Sequence, residues 1–211
     1  MLGGYWEGHT DDITQIKFHP RNKNSIMSAS TDGLINIYDV SQNNEDDALE
    51  NSLNVETSVQ KVEWFRINDE DVIGCITDME TVQFWKPDDV SPYACFSRKM
   101  LASTMYISSW DNAYITDLHK TCTDEIVLIG GSNVNKGEYL KTLMYRDGKL
   151  IPSATFKNNK QVVRCSSYDA LSETFITAGE SGIISVWTLN DSGDNKITLK
   201  DRVKRKKCNS N

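Results

Sequence analysis

His9, Ser28 and Asp32 are the residue types of an acyl-transfer triad, in which a serine attacks, a histidine takes its proton and an aspartate orients the imidazole. Their setting argues against that chemistry. Ser28 lies in Ser25-Ile-Met-Ser-Ala-Ser, an alternating run without the Gly-x-Ser-x-Gly elbow that presents a nucleophile. The segment Gly130-Gly-Ser-Asn-Val-Asn-Lys-Gly137 holds the glycines and lysine of a phosphate loop. It lacks the Gly-Lys-Ser/Thr ending, no helical pattern follows, and it reads as a hairpin turn. His9, His19 and His119 have no metal-ligand spacing, and His19, before Pro20, suits a turn. Cys75, Cys95, Cys122, Cys165 and Cys208 are odd in number and never form Cys-x-x-Cys, so free thiols in a reducing compartment are expected. No catalytic, metal or cofactor constellation emerges, and an enzyme is not expected.

The elements that must position these residues are strands. Apolar side chains alternate in Ile13-Thr-Gln-Ile-Lys-Phe, Leu34-Ile-Asn-Ile-Tyr and Val59-Gln-Lys-Val-Glu-Trp, the period of a half-buried strand, and helical spacing is not sustained. The pattern predicts an all-β chain of repeating strand groups. The first group has strands near 13–19, 25–30, 34–39 and 49–55, and the second near 59–65, 72–77, 81–86 and 94–100. The third has them near 112–118, 126–130, 138–145 and 150–156. The fourth has them near 161–168, 174–178 and 183–189, with a weak outer candidate at 196–199. Inner strands beginning near 13, 59, 112 and 161 recur about every 46–53 residues, a period of repeated strand groups.

Within the first group, Gly8-His9, the Asp32-Gly33 turn and the closing Tyr38-Asp39 resemble one blade of the WD-repeat β-propeller family. The resemblance makes His9, Ser28, Asp32 and Tyr38 a structural tetrad. It implies a buried relay in which Asp32 accepts from His9, His9 contacts Ser28, and Ser28 meets the third-strand aromatic. Tyr38 stands where the family usually has Trp, so its hydroxyl reaches differently. In later blades the signature survives only as Asp78 and Trp85, then Thr177 and Trp187, with packing around Trp64, Trp85, Trp110 and Trp187 carrying more of the fold.

About four blades are expected within a propeller segment spanning 1–200. They cover approximately 8–56, 57–101, 110–157 and 159–189, with an outer strand of a preceding blade at 2–6 and a basic, disordered tail at 201–211. Beginning on an outer strand, the chain reads as the C-terminal part of a larger, incomplete ring. A four-blade ring closing on itself is the alternative.

The net charge of −7 conceals a split, because Lys200–Lys207 carries six basic residues against Asp201. The rest is strongly acidic, with clusters at Glu45-Asp46-Asp47, Asp69-Glu70-Asp71 and Asp88-Asp89, and does not suit a phosphate backbone. No apolar run is long enough to span a membrane, and the start lacks a signal-peptide pattern. The expected function is a non-catalytic scaffold for protein–protein interaction, without membrane or small-molecule substrate. Thr10, Asp12 and Thr31 are the candidate contacts. Lys204, Arg205, Lys206 and Lys207 read equally as a solvated terminus or a nuclear localisation signal in an intracellular protein, nuclear and/or cytoplasmic. The alternative function is a nuclear factor contacting nucleic acid through that tail.

Overall fold

A computed structural model describes residues 4–189 and 197–202 of the 211-residue chain. The chain divides into two compact units, Met1–Ser103 and Thr104–Asn211, each built on two four-stranded antiparallel sheets.

In the first unit, β1 (Ile13–Phe18), β2 (Ser25–Ser30), β3 (Leu34–Asp39) and β4 (Leu49–Asn54) pair in chain order, with a one-turn helix α1 (Glu45–Ala48) before β4. The second sheet repeats the meander with β5 (Val59–Ile67), β6 (Glu70–Thr77), β7 (Val82–Trp85) and β8 (Ala94–Phe96). Alternation decides the faces. Met27, Ala29, Ile35, Ile37 and Leu53 project from one side of the first sheet onto Val59, Val62, Trp64, Ile73, Cys75 and Trp85 of the second.

The second unit follows the same plan. Its first sheet holds β9 (Ala113–Lys120), β10 (Ile126–Ser132), β11 (Leu140–Arg146) and β12 (Lys149–Thr155). Its second holds β13 (Val163–Asp169), β14 (Thr174–Gly179), β15 (Ile184–Leu189) and β16 (Ile197–Arg202). Tyr114, Val127, Ile129 and Leu140 pack onto Val163, Phe175 and Trp187, and the Phe156 ring stands edge-on to Trp187 at 5.1 Å.

Three features differ from the sequence reading. Residues 94–100, expected as one strand, split into β8 and a helix α2 (Arg98–Met105). Lys99, Met100, Leu101 and Ala102 are good helix formers. Ser97 starts the helix by offering its hydroxyl to Met100 N and its carbonyl to Leu101 N, and Tyr106 ends it at φ 63°. Residues 4–6 of the expected outer strand 2–6 form no strand, while Leu2 and Gly3 lie outside the described residues. The Trp6 and Glu7 amides donate instead to the Glu45 carboxylate, at 2.7 and 2.9 Å. The outer candidate at 196–199 is a full strand, β16, paired with β15.

Cys75 is buried between the sheets of the first unit, whereas Cys95, Cys122 and Cys165 are exposed, all four as free thiols. Burial pushes the Cys75 thiol up to about 12, even against its hydrogen bonds from the Gln83 backbone and Trp85. Because the thiolate is the reactive species, iodoacetamide at pH 8 is expected to label Cys95, Cys122 and Cys165 in the native protein. Cys75 should react only after denaturation, and peptide mapping by mass spectrometry reads the difference.

Candidate functional site

The His9 loop crosses the end of the first sheet and is tied to it by side chains. Asp32, in the turn between β2 and β3, accepts from His9 Nδ1 at 3.0 Å and from the Thr10 and Leu34 amides, each at 2.9 Å. His9 Nε2 lies 2.7 Å from Ser28 Oγ in the middle of β2. Beyond Ser28 the Tyr38 hydroxyl closes the series, hydrogen-bonded to Ser28 and accepting from Asn36 Nδ2 at 3.2 Å. These partners assign the protons in one direction, from Asn36 to Tyr38 to Ser28 to His9 to Asp32, with the histidine proton on Nδ1. Asn36 also donates to the Gly8 carbonyl and accepts from Ser52 Oγ at 2.6 Å.

The glycine of Gly8-His9 has a packing reason. A Cβ on Gly8 would lie 1.9 Å from the Tyr38 hydroxyl oxygen, so any other residue there displaces the end of the relay. Tyr5 stacks on the Tyr38 ring at 4.7 Å, which shields the hydroxyl from water. Burial pushes the Tyr38 phenol above its ordinary range, and the Glu45 charge adds to this against the Asn36 and Ser28 hydrogen bonds.

Ser28, His9 and Asp32 share the connectivity of a hydrolytic triad, but the serine is only 5% exposed, lies mid-strand, and has Tyr38 on its oxygen. A second Ser-His-Asp cluster sits between the two sheets of the second unit and runs the other way. Ser166 Oγ donates to Asp117 Oδ2 at 2.9 Å, so His119 Nε2, 2.7 Å away, is the donor to Ser166. A serine that gives its proton to the carboxylate and receives one from the histidine is not set up as a nucleophile.

The remaining signature residues hold their own sheets. Trp187 Nε1 donates to Thr177 Oγ1 at 2.9 Å. Trp85 Nε1 donates to Gln83 Oε1 at 3.0 Å, and Asp78 accepts from Thr57 Oγ1 at 2.9 Å. His19 Nδ1 accepts from the Arg21 and Asn22 amides, which fixes the expected turn, while Nε2 reaches Asp71 at 3.2 Å.

Sequence reasoning missed a contact that recurs between neighbouring inner strands. Thr14 Oγ1 donates to the Val59 carbonyl, and the Val62 amide donates to Gln15 Oε1, both at 2.7 Å. In the second unit Thr116 Oγ1 donates to the Val163 carbonyl and the Ser166 amide donates to Asp117 Oδ2. Thr-Gln and Thr-Asp therefore occupy one latch that joins the two sheets within each unit. The signal was a threonine followed by an amide or carboxylate at matching places in β1 and β9.

Thr10, Asp12 and Thr31 meet at one edge of the first sheet, where the Thr31 amide donates to the Asp12 carbonyl at 3.0 Å and the Thr10 and Asp12 side chains are exposed. The neighbouring edge carries Thr57, Asp78 and the exposed Met79. Lys204, Arg205, Lys206 and Lys207 lie outside the described residues. Among the described residues no group of three His, Cys, Asp or Glu is placed to hold a metal ion. No described helix is long and apolar enough to cross a membrane.

Four-stranded meanders latched through their inner strands, with a His–Ser–Asp relay at the loop edge, are similar to blades of the WD-repeat β-propeller family. Residues 2–39 match the family model described as WD domain, G-beta repeat. Across 195 residues the chain is 26% identical to a WD repeat-containing protein 89 homolog of Dictyostelium discoideum, covering 90% of this chain and 53% of that protein. It is 30% identical over 189 residues to an uncharacterized WD repeat-containing protein of Saccharomyces cerevisiae, covering 86% of this chain and 45% of that one. The chain thus spans about half the length of these curated relatives. Among solved structures, the β-propeller domain of Cps50 (Swd1) from Myceliophteria thermophila superposes with a TM-score of 0.66 at 12% identity, over 92% of this chain and 59% of that one, a likeness of fold.

Proposed function

We propose that this chain is a non-catalytic scaffold that binds a protein partner across the loop edge of its first two blades. The observation that carries the reading is the anchoring of that edge. The relay holds Thr10 through Asp32, and the 31–33 turn is held by Asp12 on one side and by Val55, which donates to the Gly33 carbonyl, on the other. Side chains at the rim therefore stand on a fixed backbone, which lowers the ordering entropy lost on binding. The serine, histidine and aspartate that could have done chemistry are occupied in building that support. The rim combines acidic and hydroxyl groups with the exposed Met79, a mixture suited to a protein surface. The same proposal places the chain inside the cell, in keeping with its free thiols.

The test is affinity capture with quantitative mass spectrometry, using the chain and a Thr10→Arg, Asp12→Lys, Thr31→Arg triple variant. At least one captured protein should fall about tenfold, equivalent to about 1.4 kcal/mol, while circular dichroism stays unchanged. An identical captured set from a folded variant would rule this edge out as the contact surface.

A further inference from the structure

At the end of the strands opposite the His9 loop, the first unit holds a cavity of about 340 Å³ between its two sheets. Every residue that lines it belongs to that unit. The volume is at the small end for ligand cavities and suits one inserted side chain.

Its wall is built from fixed groups. His19 Nδ1 is committed to the Arg21 and Asn22 amides, so Nε2 carries the proton and meets Asp71 Oδ1 at 3.2 Å. The same oxygen accepts from Arg66 Nη1 at 3.0 Å, which offsets the Asp71 charge. The Trp64 indole packs edge-to-face with the His19 ring at 4.6 Å. Glu50 and Asn51, at the start of β4, and Asp88, just after β7, complete the wall.

Two of these groups lack what they need. Trp64 is 7% exposed, and its indole N–H has no hydrogen-bond partner. The Trp85 and Trp187 N–H groups, by contrast, donate to Gln83 and Thr177. A buried donor without an acceptor is destabilising and calls for an explanation. Glu50 and Asp88 are exposed, and among the described residues no cation pairs with either; Asp88 has only the neutral Asn51 amide, at 2.9 Å. The burial therefore sets an unanswered donor in the floor and two unanswered carboxylates at the rim. A metal ion does not meet this need, because it offers the indole no acceptor, and among the described residues no three carboxylate, His or Cys groups are placed to hold one.

We propose that the cavity takes the side-chain amide of a basic peptide. The amide carbonyl accepts from the Trp64 N–H, and flanking arginines pair with Glu50 and Asp88. Glutamine and an acylated lysine both carry that carbonyl on a flexible apolar stem. This surface is separate from the loop edge assigned to a partner, and neither reading depends on the other.

The test follows the Trp64 indole N–H signal by nuclear magnetic resonance in the full chain, assigned through its contact with the His19 ring. Acetyl-Arg-Gln-Arg-amide, or the same peptide with N-acetyllysine in place of glutamine, is added up to about 5 mM. At least one should move the signal downfield and saturate, and the tighter of the two names the source of the amide. Acetyl-Arg-Leu-Arg-amide keeps both charges without the acceptor and should leave the signal in place. A Glu50→Gln, Asp88→Asn variant with unchanged circular dichroism should bind about tenfold more weakly. A signal that neither amide peptide moves, because the cavity holds water alone, overturns the proposal. So does an equal response to the leucine peptide, or a folded double variant that binds as tightly as the wild type.

Discussion

Replacing Trp187 by alanine is expected to destabilise the second unit by about 3–5 kcal/mol, the range for deleting a large buried aromatic. The indole is completely buried, with Phe156 edge-on at 5.1 Å and Val163 and Phe175 in the same cluster. Its N–H is also the partner of the buried Thr177 hydroxyl. Alanine therefore leaves a cavity and one hydroxyl without its donor, and the rigid sheet backbones on either side cannot collapse into the space. Phenylalanine keeps most of the volume and loses the hydrogen bond, so Trp187→Phe should cost less, about 1–2 kcal/mol. Thermal unfolding by circular dichroism checks the order of the two. A Trp187→Ala melt within about 2 °C of wild type would show that this cluster does not govern stability.

The strands were readable because their side chains alternate and because turn residues separate them. Ile13-Thr-Gln-Ile-Lys-Phe and Leu34-Ile-Asn-Ile-Tyr show the two halves of that logic, one strand half-covered and the other buried on both faces. Helix α2 escaped notice because eight residues between two β segments give few turns of periodicity, and its buried positions, Leu101, Ala102 and Met105, lie close together.

The site was legible in part for a different reason. His9, Ser28 and Asp32 stand at fixed offsets within one repeat, so composition and spacing alone could assemble them. Asn36 could not be found that way. It looks like a solvent-facing position in an alternating strand, yet it completes the relay through Tyr38 and Gly8. Trp85 shows the same limit. Its spacing to the signature residue Asp78 does not reveal its partner, because the indole turns to Gln83 on its own strand face. The latches at Thr14–Val59 and Thr116–Val163 join residues more than 40 apart, and strand register rather than sequence distance brings them together.

Asp32→Ala is expected to destabilise the first unit by about 1–3 kcal/mol, because the His9 ring and the Thr10 and Leu34 amides lose one shared acceptor. The pH dependence separates this relay from a simple packing loss. Burial alone would raise the Asp32 pKa, but the Thr10 and Leu34 amides and then His9 more than offset it, leaving the carboxyl below its ordinary value. A carboxyl depressed in the folded state is protonated first in the unfolded chain. Its contribution is thus present above about pH 4, the unfolded value, and disappears as pH falls through the lower folded value. The stability gap between wild type and Asp32→Ala should therefore narrow as pH falls below about pH 4. Asp32→Asn tests the charge separately. It keeps the shape and one acceptor oxygen, so it should recover part of the loss, and its own melt should lack that step below about pH 4. A gap that persists unchanged to about pH 3 would mean that the carboxylate's hydrogen bonds contribute nothing, and that the first blade is held by Tyr38 packing alone.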